Sequence, residues 1–185
     1  MPHGAIIGTT TSGKTFLARQ LSKQAKAKGV QTIALHKPRE PWGKDEVDWQ
    51  TSHVEVFLSY VEERDRTNRE RMANGLDPIG GFWASMELSD AAAAKYDTRV
   101  RKLYTDGRHD GHVFNYLAQR GVQVHPDIRE NCVRLYLFAC IGDAAKEWSK
   151  EFNDLELKKA VNLPPRYFVL KIGRFKPAKI CTLKV

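Results

Sequence analysis

Hydrophobic positions along the chain switch between two rhythms. Ala5-Ile6-Ile7 is a short unbroken apolar run of the kind a strand buried on both faces requires. From Phe16 onward the pattern turns helical, with Leu17, Leu21 and Ala25 on one side and Lys23, Lys26 and Lys28 on the other, and Gly29 stands at the C-cap position. Residues 31–37 return to a strand pattern, closed by Pro38 and the turn-rich Pro41-Trp42-Gly43. The two strands and the helix between them form a βαβ unit, for which parallel strands and a right-handed crossover are expected.

The alternation continues to the C-terminus. Val54, Phe57, Leu58 and Val61 predict a helix over residues 53–72, whose charged stretch Glu62-Glu63-Arg64-Asp65-Arg66 reads as a solvated face. Gly75, Pro78, Gly80 and Gly81 break the chain before a third strand over 82–87. A helix then starts at Ser89 as N-cap and runs through Ala91 and Ala94 toward Tyr104. A fourth strand covers 112–118, a short helix 126–132, a fifth strand 134–140 and a helix 142–153 with Ala145, Trp148 and Phe152 on one side. Two runs, 167–172 and 180–185, flank Gly173 and Pro177 as a terminal hairpin. The expected fold is α/β: a three-layer αβα sandwich on a mainly parallel central sheet, with a C-terminal β-hairpin, as one domain over residues 1–185.

Composition narrows the class. A length of 185 residues suits one core, and 42% hydrophobic residues suffice to build it. Thirty Lys and Arg against 22 Asp and Glu leave a formal charge of +8, which favours an anionic partner such as nucleic acid or an acidic membrane surface. Cys132, Cys140 and Cys181 have neither the number nor the spacing of a disulfide framework or zinc site, and His109 and His112 are isolated from other ligands. A reducing, cytoplasmic setting is expected. Met1-Pro2-His3-Gly4 leads directly into the first strand, so no signal peptide is expected, and no apolar stretch approaches the ~20 residues of a membrane span.

The chemistry concentrates between the first strand and the first helix. Gly8-Thr9-Thr10-Thr11-Ser12-Gly13-Lys14-Thr15 fits G-x-x-x-x-G-K-[ST] at every fixed position. Glycines let such a loop curl so that its amides point at phosphate oxygens, and the helix N-terminus beginning near Phe16 adds partial positive charge. Lys14 would reach the β and γ phosphates of ATP, and Thr15 would offer its hydroxyl to Mg²⁺. Hydrolysis further needs an acid, a group that orients water and a cation. Ser85-Met86-Glu87 puts the acid at the end of the third strand: Met86 is too soft a ligand for Mg²⁺, so Glu87 carries one role or both, with Asp90 as a substitute should the strand end later. Gln119 closes the fourth strand and could donate to the γ-phosphate and accept from water. Arg108 and Arg129 are the candidates for an arginine acting across a subunit edge. Lys171, Arg174, Lys176, Lys179 and Arg166, interleaved with Tyr167, Phe168 and Phe175, make the hairpin basic, either as a phosphate-backbone surface or as an edge protected against aggregation.

Taken in order, these pieces resemble the FtsK/HerA superfamily of motor ATPases and, within it, the small genome-packaging ATPases of tailless, internal-membrane viruses. The resemblance covers most of the chain and is carried by Tyr96-Asp97-Thr98-Arg99, by Thr105-Asp106-Gly107-Arg108-His109-Asp110-Gly111 leading into a strand that ends Ala118-Gln119-Arg120-Gly121, and by Pro126-Asp127-Ile128-Arg129-Glu130-Asn131. It implies Lys14 and Thr15 as nucleotide and Mg²⁺ residues, Glu87 as the Walker B carboxylate, Gln119 as sensor, and Arg108 or Arg129 as arginine finger. Met86 departs from the family pattern, which has an acid there. The resemblance also implies self-association into a ring, commonly a hexamer, around DNA, at a virion packaging vertex in the host cytoplasm with a capsid or membrane partner. Two other readings remain: a small-molecule kinase with Arg64, Arg66, Arg69 and Arg71 in a lid, and a phage assembly or DNA-binding protein that holds ATP as a structural switch.

Overall fold

The computed structural model describes residues 3–87, 97–120 and 124–183. In chain order the elements are β1 (His3–Ile7), α1 (Lys14–Ala27), β2 (Thr32–Leu35), β3 (Trp49–Thr51), α2 (Val54–Ala73), β4 (Trp83–Glu87), α3 (Thr98–Thr105), β5 (Val113–Ala118), α4 (Pro126–Asn131), β6 (Cys132–Phe138), α5 (Gly142–Glu151), a 3₁₀ helix (Leu155–Asn162), β7 (Tyr167–Ile172) and β8 (Lys179–Thr182). They build an eight-stranded sheet in the order β3-β2-β4-β5-β1-β6-β7-β8. The strands from β3 to β6 are parallel, and β7 and β8 add an antiparallel hairpin. The expected α/β architecture with its C-terminal hairpin is present.

Two features differ from the pattern-based reading. The short edge strand β3 pairs with β2 and has only half-buried residues, so three positions give no periodic signal. The βαβ unit has parallel strands, but β4 and β5 lie between β1 and β2. The helix expected to start at Ser89 falls outside the described residues until Asp97, whose carboxylate caps α3 by accepting from the Arg99 amide.

The pleat divides the sheet between two cores. Ile6, Leu117, Tyr136 and Phe138 face α1 with Leu17, Ala18 and Trp42. Ala5, Ile7, Ala84, Met86, Phe114, Tyr116 and Ala118 face the opposite layer, which brings Phe57, Leu58, Val61, Tyr104, Ile128 and Trp148 from α2, α3, α4 and α5. The charged stretch of α2 is not merely solvated. Arg64 lies over the Phe82 ring at 4.3 Å and donates to the Gly80 carbonyl and to Gln31. Asp65 accepts from Nε2 of the fully buried His112, whose Nδ1 in turn accepts from the Phe82 amide, a pairing that fixes the neutral tautomer. Lys171 is likewise taken from the basic hairpin surface: it is buried, 2.7 Å from Asp154, and also donates to the carbonyl of Lys176. No helix among the described residues is long and apolar enough to cross a membrane.

Candidate nucleotide-binding site

Sheet topology gathers the strand C-termini on one edge, and the loop of residues 8–13 rises there between β1 and α1. The Gly8 amide donates to the Ala118 carbonyl at 3.2 Å and the Thr9 amide to the Ala139 carbonyl at 2.9 Å, so the loop is tied to the ends of β5 and β6. A Cβ on Gly8 would lie 2.6 Å from Phe138 Cβ, which is why this position has none. Gly13 adopts φ +105° at the N-cap with no side chain capping the helix, leaving the first amides of α1 open to a ligand. Thr11 sits at φ +64°, a costly conformation for a β-branched residue and one found where function over-determines the backbone. Thr9, Thr10, Thr11 and Phe16 are exposed, whereas Ser12 is buried with its hydroxyl unpartnered.

Lys14 folds back over the loop and donates to the Thr9 carbonyl at 2.8 Å. Burial lowers its amine to about 8, with Glu87 pulling upward and Lys37 pushing down. The Thr15 hydroxyl donates to Glu87 Oε1 at 3.3 Å, and Lys37 Nζ lies 3.1 Å from the same oxygen. Glu87 is almost fully buried, and its Oε2 has no partner among the described residues. Met86 points to the other face of the sheet and is wholly enclosed in the larger core, so it fills space on a side that the phosphate loop does not share. The acid strand β4 is not the immediate neighbour of β1: β5, the strand that Gln119 follows, lies between them.

No protein-family model and no curated protein matches the chain by sequence. Solved structures do match its fold. The genome-packaging NTPase B204 from Sulfolobus turreted icosahedral virus 2, in complex with AMP, superposes with a TM-score of 0.77 over 100% of this chain and 98% of that one, at 14% identity. B204, the DNA-packaging ATPase from Sulfolobus Turreted Icosahedral Virus, gives 0.73 over 97% and 96%, at 16% identity. The pCW3 conjugation coupling protein TcpA with ATPγS gives 0.72 over 96% of this chain and 59% of that one, at 18% identity. The fold is that of the P-loop ATPases. These neighbours match the resemblance carried by the sequence motifs.

Within this P-loop ATPase fold, the Thr15 hydroxyl and Glu87 carboxylate are hard oxygen donors, and the orphaned Oε2 is a buried acceptor without a donor. That donor set fits a magnesium ion completing its shell with phosphate and water. Gln119 is exposed and directly follows the residue whose carbonyl anchors Gly8. Arg108 is exposed in the turn before β5, at the edge of the sheet opposite the phosphate loop, where its charge helps hold the buried His3 imidazole neutral after burial itself. Arg129 on α4 is 16% exposed and bonded to Glu147 at 2.7 Å. Neither arginine belongs to its own chain's phosphate pocket. Asp90 lies outside the described residues.

The arginines assigned to a kinase lid sit in the C-terminal half of α2, with Arg71 in its last turn. Arg64 is on Phe82, Arg66 on Glu63, and Arg71 donates to the Asp77 carbonyl. Sequence reasoning missed Lys37. The available signal was a basic residue closing the second strand, on the edge where parallel strands deliver functional groups.

Proposed function

We propose that this chain is the ATPase of a viral DNA-packaging motor, hydrolysing ATP at residues 8–15 and using the cycle to move DNA without reading its sequence. The observation that carries the reading is the Thr15–Glu87 hydrogen bond of 3.3 Å, which sets a buried carboxylate with one free oxygen beside the phosphate loop. A loop that binds phosphate needs no such acid; hydrolysis does. The fold shared with B204 supports the assignment to packaging.

In this mechanism the loop amides and Lys14 bind the phosphates, and Thr15 with Glu87 would hold a magnesium ion, which when bound offsets phosphate charge. Glu87 Oε2 accepts a proton from the attacking water, and Gln119 orients that water against the γ-phosphate. Arg108, exposed and remote from its own pocket, is better placed to serve a neighbouring subunit than Arg129, which Glu147 occupies. A ring, commonly hexameric in the family this chain resembles, supplies that neighbour. Exposed Arg174, Lys176 and Lys179 supply sequence-independent contacts to the DNA backbone. The motor would work in the host cytoplasm at the packaging vertex, against a capsid or membrane protein.

Steady-state phosphate release by the assembled protein, with and without double-stranded DNA, tests this. Stimulation at low salt that fades steeply as salt rises is expected. A rate indifferent to DNA in an assembled ring overturns it.

A further inference from the structure

Lys37 follows β2 on the phosphate-loop edge, and the chain around it is fixed. The His36 amide donates to the Thr51 carbonyl at 3.0 Å, and Pro38 restricts Lys37 to extended backbone. Beyond it, residues 41–48 are strapped across α1 by basic residues on one face of that helix. Arg19 donates to the Pro41 carbonyl and lies over the buried Trp42 ring, Lys23 bonds Asp45 at 2.6 Å, and Lys26 bonds Asp48 at 2.6 Å. The backbone at Lys37 is thus held from both ends, and its four-carbon side chain is the adjustable part.

That side chain places its ammonium 3.1 Å from Glu87 Oε1, the oxygen that also accepts from Thr15. Lys37 is thus paired with the buried carboxylate, while Lys14, bonded to the Thr9 carbonyl, feels both charges: Glu87 raises its amine and Lys37 lowers it. Among the described residues, two lysines face the one carboxylate before any nucleotide enters. A partly buried lysine–glutamate pair contributes little net stability, since desolvation offsets its attraction, so fold maintenance is a weak reason for the arrangement.

We propose that Lys37 is a second triphosphate-binding cation, parked on Glu87 while the site is empty and drawn to the γ-phosphate when ATP enters, which frees the carboxylate. The inference rests on the triphosphate site proposed above. In the hydrolytic step, water oxygen bonds to the γ-phosphorus as the bond to the β,γ-bridging oxygen breaks. The electron pair leaves with ADP, and the water proton passes to Glu87 Oε2 and then to phosphate. Lys37 exchanges no proton and contributes only its charge. ADP, lacking the γ-phosphate, has no claim on it.

Calorimetric titration of the full chain with β,γ-methylene ATP and, separately, ADP tests this in the wild type, Lys37→Met, Lys37→Arg and Glu87→Gln. Lys37→Met should cut the preference for triphosphate over ADP by about tenfold or more, the scale of one charged hydrogen bond, with ADP affinity unchanged. Lys37→Arg should restore the preference. Glu87→Gln, which removes the parking partner, should shift it the opposite way, toward tighter triphosphate binding. A purely structural ion pair moves melting temperature in both variants and this ratio in neither. An unchanged ratio in Lys37→Met, or in Glu87→Gln if the former does not fold, overturns the proposal. A wild-type chain that binds neither nucleotide instead overturns the triphosphate site itself.

Discussion

The Thr15 hydroxyl donates to Glu87 Oε1 over 3.3 Å, joining the first turn of α1 to the end of β4 across 72 residues of sequence. The contact brings a phosphate-loop residue against an acid whose second oxygen is buried and unpartnered. If that oxygen takes the proton of the attacking water, Glu87→Gln should bind triphosphate at least as tightly as the wild type and lose turnover by roughly 100-fold or more, the usual contribution of a positioned base. Phosphate release measured beside nucleotide affinity separates the two effects. Equal loss of both would assign Glu87 to binding alone.

Lys14 gives a pH dependence with a definite sign. Its amine is lowered by burial from 10.5 to about 8. Between those values the unfolded chain holds a proton that the native site has released, so this group's contribution to stability rises with pH across that window. Phosphate requires the charged form, so triphosphate affinity should weaken above about pH 8, by up to about tenfold per pH unit, with proton uptake on binding. Titration in buffers of different ionisation enthalpy measures that uptake, and Lys14→Gln should abolish the dependence.

Gly8 tests the backbone of the loop. An alanine Cβ there would meet Phe138 Cβ at 2.6 Å and Ser12 Oγ at 2.9 Å. Gly8→Ala should cost about 1–3 kcal/mol of stability, the scale of overpacking, and weaken nucleotide binding. Thermal melts and titration of the same preparation check both.

The phosphate loop was legible because close approach and unusual backbone angles demand glycine at fixed positions, and Gly8 and Gly13 meet those demands. The sheet was legible where strands are buried on both faces, as in β1, β4 and β5, and not at β3, three half-buried residues on an edge. Met86 read as a chemical departure because sequence does not say which face of a strand a residue takes; alternation puts it in the core and Glu87 toward α1. Lys37 and Lys171 carry the same lesson in reverse. Each looked like an ordinary basic residue, and each finds a buried carboxylate that only the tertiary fold supplies.

Asp154 holds the hairpin to the body. Burial alone would raise its carboxyl, but hydrogen bonds from Lys171 and the Ala178 amide outweigh this and hold it below 3.8. A depressed carboxylate stabilises above its unfolded value and loses that contribution as pH falls through the folded one. Asp154→Ala should leave the Lys171 ammonium buried without its counter-charge, at about 3–5 kcal/mol, and should blunt the loss of stability below about pH 4. Denaturant unfolding at neutral and acidic pH measures both.

The central claim is a triphosphate site on the loop before α1, with Lys14 as its principal cation. Calorimetric titration of the wild type and Lys14→Ala with a non-hydrolysable ATP analogue in magnesium buffer tests it most directly. Saturable binding by the wild type and its loss in Lys14→Ala are the predicted results. A folded wild-type chain that takes up no analogue, or a Lys14→Ala variant that binds as tightly as the wild type, contradicts the claim.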